Sequence, residues 1–293
     1  MHIDSGDTAW VLGSAALVLF MTPGLALFYG GMIRSKNVLA MIVANFATIA
    51  IVSVVWAVAA YSIAFGPNTA GGFLGTLHLA GLAHADQQVP GLHLSVPPLA
   101  FAAFQMMFAV ITAALLTGTV AERAKFGGFL VFAAIWVVVV YAPIAHWVFS
   151  PHGWLAQRGV LDFAGGNVVE IDSGASALAL AFVIGRRHGW PREVVAPHSL
   201  PFTMVGAGIL WFGWFGFNAG SALASGTLAA QALIGTQLAA CAGLLAWCGL
   251  EKARTGHATT LGAASGAVAG LVAITPAAGY VNSMAAIGIG AAG

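Results

Sequence analysis

Charge is what this chain has least of. Asp, Glu, Lys and Arg together make up 6% of its 293 residues, against roughly 25% in an ordinary soluble domain. So few charges cannot coat a water-facing surface of that size, which excludes a free-standing soluble globule. Cysteine is nearly absent too, with only Cys241 and Cys248 in one apolar run. At i, i+7 they share a helix face and read as buried small hydrophobes rather than a disulfide or metal pair. The phosphate loop GxxxxGK[ST], the GxSxG elbow and HExxH are all missing, so nothing points to an enzyme or calls for a cofactor. A net charge of +1 gives no electrostatic footprint for nucleic acid. The amino terminus, MHIDSGDTAW, lacks the basic stretch of a secretory signal, so the first apolar run is expected to stay in the mature protein.

What is present is hydrophobic: 60% of residues, with 38 glycines and a mean hydropathy of +0.92. About 20 apolar residues cross a bilayer. On that rule the spans are 9–31, 38–66, 97–121, 127–149, 163–185, 198–220, 226–250 and 258–275. A ninth apolar segment opens near Val281 and reaches Gly293. The reading is an all-α, polytopic membrane helix bundle, one domain over 1–293, ending inside a helix as a carboxy-terminally incomplete chain would.

The basic residues test the span count independently. Arg34 and Lys36 follow the first span, Arg123 and Lys125 the third, Arg186, Arg187 and Arg192 the fifth, and Lys252 and Arg254 the seventh. Only Arg158 breaks the alternation. The positive-inside rule then places those loops in the cytoplasm and the amino terminus outside. The outer segment 67–96 carries His78, His84, His93 and Asp86, spaced too irregularly for a zinc motif. Trp10, Trp147, Trp154 and Trp190 fall near span boundaries, as interfacial anchors do. The sixth span, GAGILWFGWFGFNAGS, faintly echoes the first, VLFMTPGLALFYGG. Five spans apart, they run in opposite senses, the pattern of an inverted repeat.

Three of the nine acidic residues lie in Asp162–Arg187. A carboxylate at bilayer depth normally faces a bundle interior or a wet pathway. Glu170 therefore reads either as a carboxylate bonded to a neighbouring helix or as one lining a pore and relaying a proton. Asp172 is about 200° further round the helix, so the two cannot share one lumen. Asp162 is expected to cap the helix start. Phe104 and Phe108 lie at i, i+4 on the third span, Trp214 and Phe217 at i, i+3 on the sixth. Such pairs serve core packing, or a narrow gate whose ring faces attract a small cation. His146 and His198 sit at span ends, where structural hydrogen bonds are the expected role. A membrane enzyme built on Glu170 and Asp172 would lack a partner histidine or metal set at their depth.

Several longer motifs agree with one family. MTPGLALFYGGMIRSKNVL (21–39), AERAKF (121–126), DFAGGNVV (162–169), GWFGFNAGSA (213–222) and TPAAGYV (275–281) resemble the ammonium transporter family, Amt/Mep/Rh, across essentially the whole chain. The resemblance implies eleven helices in an inverted five-plus-five repeat, of which this chain holds eight and part of a ninth. It implies a homotrimer with one pore per subunit, ammonium or ammonia as substrate, the lipid bilayer as surroundings, and a PII-type regulatory protein as cytoplasmic partner. By motif position Ser221, Trp214, Phe104, Phe149 and Asp162 belong to the outer vestibule, and Phe108 and Phe217 to the gate. Phe149 stands where many members have tryptophan. Glu170 stands where most carry the first of two pore histidines, as in some fungal members; the second belongs to a later helix. The implied function is ammonium/ammonia transport across the cell membrane, and the alternative an ammonium sensor of the same fold with little or no net flux.

Overall fold

The computed structural model describes residues 2–84, 86–187, 189–192 and 196–293. Eight helices among them are long and apolar enough to span a membrane: α1 (Ser5–Met32), α2 (Ser35–Phe65), α3 (Pro98–Val120), α4 (Phe126–Phe149), α5 (Gly166–Ile184), α6 (Leu200–Ala219), α7 (Thr227–Thr255) and α8 (Thr260–Ala277). A shorter apolar helix, α9, covers Ser283–Ala292. The eight expected spans are all present, with shifted ends. The first begins four residues earlier than hydropathy places it, because Asp4 accepts the Asp7 amide at 2.9 Å and starts the helix in polar sequence. The seventh runs past 250 to Thr255, so Lys252 and Arg254 ride in its last turn rather than in a loop. Cations there complement the helix's negative end.

Ser199, Thr259 and Asn282 cap α6, α8 and α9 with side-chain oxygens. Outside the helices, the segment after α2 carries a small antiparallel pair, β1 (Asn68–Thr69) with β2 (Leu74–Gly75), Asn68 opposite Gly75. Leu39, Val54, Val131 and Phe182 remain more than half exposed, an apolar surface suited to lipid tails and costly in water.

The arrangement turns on α1 against α6. Gly31 abuts Thr203, Gly24 meets Gly206 and Ile209, Gly213 meets Met21, and Gly220 meets Ser14, so the two helices run antiparallel along one seam. Added Cβ atoms at Gly31 and Gly206 would lie 2.3 Å from Thr203 Oγ1 and the Phe28 nitrogen. Close approach through small residues is how helices associate where lipid supplies no hydrophobic drive. The opposite senses agree with the inverted-repeat expectation.

Four helices contain a wide i→i+5 turn: 56–60 in α2, 137–141 in α4, 166–171 in α5 and 215–219 in α6. Tyr141, Glu170 and Phe217 each lie in one. Such turns rotate the following side chains off the regular helical stripe and collect at functional sites.

On the basic side, Glu122 Oε1 accepts the Asn37 side-chain amide at 2.7 Å and the Arg34 backbone N–H at 3.2 Å. Burial pushes this carboxyl up, but those bonds and the Arg34 and Arg187 charges outweigh it and hold the group below its ordinary value. A lowered carboxylate value stabilises the fold above the unfolded-state value and loses that contribution as pH falls through the folded one. The melting-temperature difference between wild type and Glu122→Gln is therefore expected to be constant near neutral pH and to shrink on acidification below pH ~4. A difference that grows in acid would contradict this assignment.

Candidate functional site: ring pairs beside a buried carboxylate

The segment ahead of α5 sets the site. Asp162 is 9% exposed, and its carboxylate accepts three amides: Oδ1 from Gly165 at 2.8 Å and Gly166 at 2.7 Å, Oδ2 from Asn167 at 2.8 Å. The expectation of a cap is met in a modified form. The residue flanking the helix is Gly165, and Asp162 reaches over the intervening turn to hold amides that would otherwise be buried unpaired. The turn is fixed from outside as well. Phe163 donates its amide to the Pro276 carbonyl at 3.0 Å, and Gly166 lies so close to Pro276 that a Cβ would come within 2.6 Å of the ring.

Gly165 has φ +107, and its missing Cβ points between Val169, Phe149 and Phe108 at 3.2, 3.4 and 3.6 Å. Phe149 and Phe108 thus flank the space beside the same glycine from different helices. Gly165→Ala is expected to cost about 1–3 kcal/mol through backbone strain, read as a lowered melting temperature. Gly174→Ala, inside a regular helix where a Cβ meets nothing within 4 Å, is the control and is expected to hold or raise it, since alanine is the better helix former.

The rings form one chain. Phe104 meets Phe108 edge-on at 4.9 Å, Phe108 meets Phe217 at 4.3 Å and 36°, and Trp214 meets Phe217 at 5.4 Å. Phe104 and Phe108 do share a face, as their spacing predicts, but in a T-shaped rather than stacked arrangement, which the ring quadrupoles favour. Phe104, Phe108 and Phe217 are each at most 1% exposed and Trp214 5%. Trp214 donates its indole N–H to Thr275 Oγ1 at 2.8 Å. Ser221, one turn beyond Phe217, is half-buried and donates its hydroxyl to the Phe217 carbonyl at 2.8 Å, leaving its oxygen free to accept.

Glu170 borders a cavity of about 70 Å³ next to this chain, with Trp214 and Phe217 in the same wall. Its other walls include Met21 and Leu25 of α1, Ile111 of α3, Leu210 of α6, and Val268 and Val272 of α8, and Glu170 is the one carboxylate in its lining. Glu170 Oε2 is buried without a hydrogen-bond partner. A second cavity of about 430 Å³, lined by Ser173, Gly174 and Arg187, shares the walls Tyr29 and Leu115 with the first. Apolar walls with one carboxylate oxygen can pass a small neutral molecule and offer a single place for its proton. Asp172 lies on the opposite face of α5, 5% exposed and away from this cavity, as the 200° offset requires.

All eight expected site residues, Phe104, Phe108, Phe149, Asp162, Glu170, Trp214, Phe217 and Ser221, thus converge on α3, the end of α4, the start of α5 and α6. Thr275, Tyr29 and the α8 valines escaped sequence reading. Only Thr275 left a signal, since a buried indole N–H needs a partner. His146 and His198 bond backbone carbonyls, Ala64 at 2.9 Å and Ile33 at 3.0 Å, in the structural roles expected. Cys241 and Cys248 are free and only half-buried. His78 and His84 stack at 4.4 Å on the exposed loop.

Known proteins agree with this architecture. The profile described as Ammonium Transporter Family matches residues 9–293. An "Ammonium transporter" of Mycobacterium bovis is 49% identical over 98% of this chain and 65% of its own length, and one of Bacillus subtilis 49% identical over 98% and 70%. The crystal structure of Saccharomyces cerevisiae Mep2 superposes with a TM-score of 0.92 at 39% identity, covering 100% of this chain and 67% of that one. A solved "Sensor Amt Protein" superposes with a TM-score of 0.90 at 29% identity, covering 98% of this chain and 72% of that one. The chain spans about two thirds of the length of these relatives. With a helical membrane architecture and a match of this extent, the chain belongs to the ammonium transporter family.

Proposed function

We propose that the protein carrying this chain moves ammonium or ammonia across the cell membrane through a pore within each subunit, with its amino terminus outside. The single observation that supports this reading most is the Phe108–Phe217 contact at 4.3 Å beside a narrow apolar cavity holding Glu170. A bare cation in so dry a space keeps none of its hydration, at a cost of many kcal/mol. Deprotonation at the rings followed by passage of neutral ammonia avoids that cost. Ser221 and the Phe104, Phe149 and Trp214 rings receive the cation, Phe108 and Phe217 form the gate, and Glu170 takes the proton. Asp162 holds the turn on which Phe149 and Phe108 converge. The protein acts as a homotrimer, and a PII-type protein meets its cytoplasmic face.

A sensor is the second reading, favoured by Glu170 in place of the usual histidine and by the likeness to a "Sensor Amt Protein". Expression of the full reading frame in a strain unable to take up ammonium separates the two. Growth at low ammonium supports transport. No growth, with the protein folded and in the membrane, sinks it and leaves the sensor.

A further inference from the structure

Ser221, the hydroxyl proposed to receive the cation, stands where the chain has just left α6. Residues 221–226 run on to α7 without helix, and Leu223 among them has φ +55, a left-handed value that is costly for a leucine. Gly226, ahead of α7, supplies no side-chain cap. The segment's own hydrogen bonds are tight turns: Ser221, Ala222 and Leu223 donate their amides to the Asn218, Ala219 and Gly220 carbonyls at 3.2, 3.3 and 2.9 Å. Strained backbone of this kind persists only where its surroundings hold it. Two side chains of α1 do so. Trp10 donates its indole N–H to the Ala219 carbonyl at 3.1 Å. Asp7 Oδ1 accepts the Ser225 amide at 2.7 Å and the Ser225 hydroxyl at 3.0 Å. At i and i+3 the two lie on one face of α1, and Ser221 falls between the points they hold. Gly220 is seated so closely there that a Cβ would come 2.5 Å from Ser14 Cβ and 3.0 Å from Phe104 Cε2. Asp7 also reaches the lead-in to α3. Its Oδ2 accepts the Ser95 hydroxyl, and the Ser95 carbonyl accepts the Asp4 amide at 2.8 Å, three residues before α3 begins.

We infer that Asp7 is a positioning residue for the cation-receiving site: with Trp10 it holds the 219–225 segment and the lead-in to α3 together, and so fixes the Ser221 hydroxyl relative to the Phe104 ring. One carboxylate joins chain segments 88 and 218 residues away from it. A carboxylate is suited to this, because its two oxygens only accept and bonds to a charged acceptor are the stronger kind. The bonds to Ser225 face water, so solvent competes for them, and what they decide is the path of a segment that has no helix of its own. A negative charge near the site could instead draw the cation directly. Asparagine separates the two roles. Its oxygen still accepts from Ser225, and its amide nitrogen donates to the Ser95 hydroxyl, which accepts as readily as it donates. Position then survives Asp7→Asn, whereas charge does not.

The role assigned to Asp7 rests on the transport reading, so its test has one readout that needs transport and one that does not. In the full-length protein in lipid nanodiscs, amide exchange over 219–226 is measured for wild type, Asp7→Ala, Asp7→Asn and Trp10→Phe. The alanine and phenylalanine variants are expected to exchange about three- to ten-fold faster, the net contribution of one hydrogen bond. Asp7→Asn is expected to stay near wild type. In cells, methylammonium uptake by Asp7→Ala is expected to show KM raised by a similar factor at an unchanged maximal rate, with KM restored in Asp7→Asn. On a Ser221→Ala background, Asp7→Ala is expected to raise KM little further, since the hydroxyl it places is gone. Wild-type exchange or wild-type KM in Asp7→Ala would overturn the inference, as would a fully additive effect with Ser221→Ala. An asparagine variant as impaired as alanine would overturn it too, and would assign Asp7 to charge instead. A wild type that moves no methylammonium defeats the transport reading, and the exchange data still judge the contacts. Should Asp7→Ala not reach the membrane, Trp10→Phe carries the test, and wild-type exchange with wild-type KM in that variant would overturn the inference.

Discussion

Asp162→Ala is expected to cost on the order of 3–5 kcal/mol, because three amides at 2.7–2.8 Å lose a charged acceptor at once in a site 9% exposed. The loss is not confined to those bonds. The turn they hold places Gly165 between Phe149 and Phe108 and seats Gly166 on Pro276. Releasing it disorganises the start of α5 and the rings beside it. Asp162→Asn keeps one acceptor oxygen, enough for the Gly165 and Gly166 amides, but presents an amide nitrogen to the Asn167 N–H. The expected order of melting temperature is therefore wild type, then asparagine, then alanine. An alanine variant melting within about 2 °C of wild type would show that the turn is held by its packing instead.

Glu170→Gln is expected to lower ammonium-dependent current on the order of 10²-fold in the full-length protein, the low end of what a positioned proton acceptor contributes. Glutamine keeps the shape of the side chain and its place in the 70 Å³ cavity wall, but it cannot take up a proton. Folding and membrane insertion are expected to be unaffected, so the comparison isolates proton handling from pore shape. Unchanged current with unchanged selectivity would refute the relay role and return Glu170 to the other reading, a carboxylate kept for contacts with neighbouring helices. Its Oε2, buried without a partner, argues against such contacts among the described residues.

Much of this was legible in the residue order. Hydropathy and the alternation of basic loops gave eight spans, because a bilayer imposes a length and an orientation that single segments must satisfy locally. The offset between Glu170 and Asp172 followed from helix geometry alone, and the aromatic pairs at i, i+3 and i, i+4 were visible as faces. The helix ends were less legible. Asp4 starts α1 in polar sequence that hydropathy scores as loop, and α7 carries Lys252 and Arg254 because its end is favourable for cations. The wide turns at Tyr141, Glu170 and Phe217 had no signature, since they arise where one helix must accommodate another.

By itself the sequence determined the class of solvent, the number of the spans, the family, and which residues were candidates, all properties of composition, period and motif. Only the tertiary structure decided which ring faces which, that Glu170 borders the cavity beside Phe217, and that Asp172 does not line it. Those relations join residues up to about a hundred positions apart, Phe108 to Phe217 being the longest of them. They depend on how closely α1 and α6 approach through their glycines and on how each wide turn rotates the side chains that follow. No local pattern encodes that, because it is set by contact between helices that meet only after the bundle has formed.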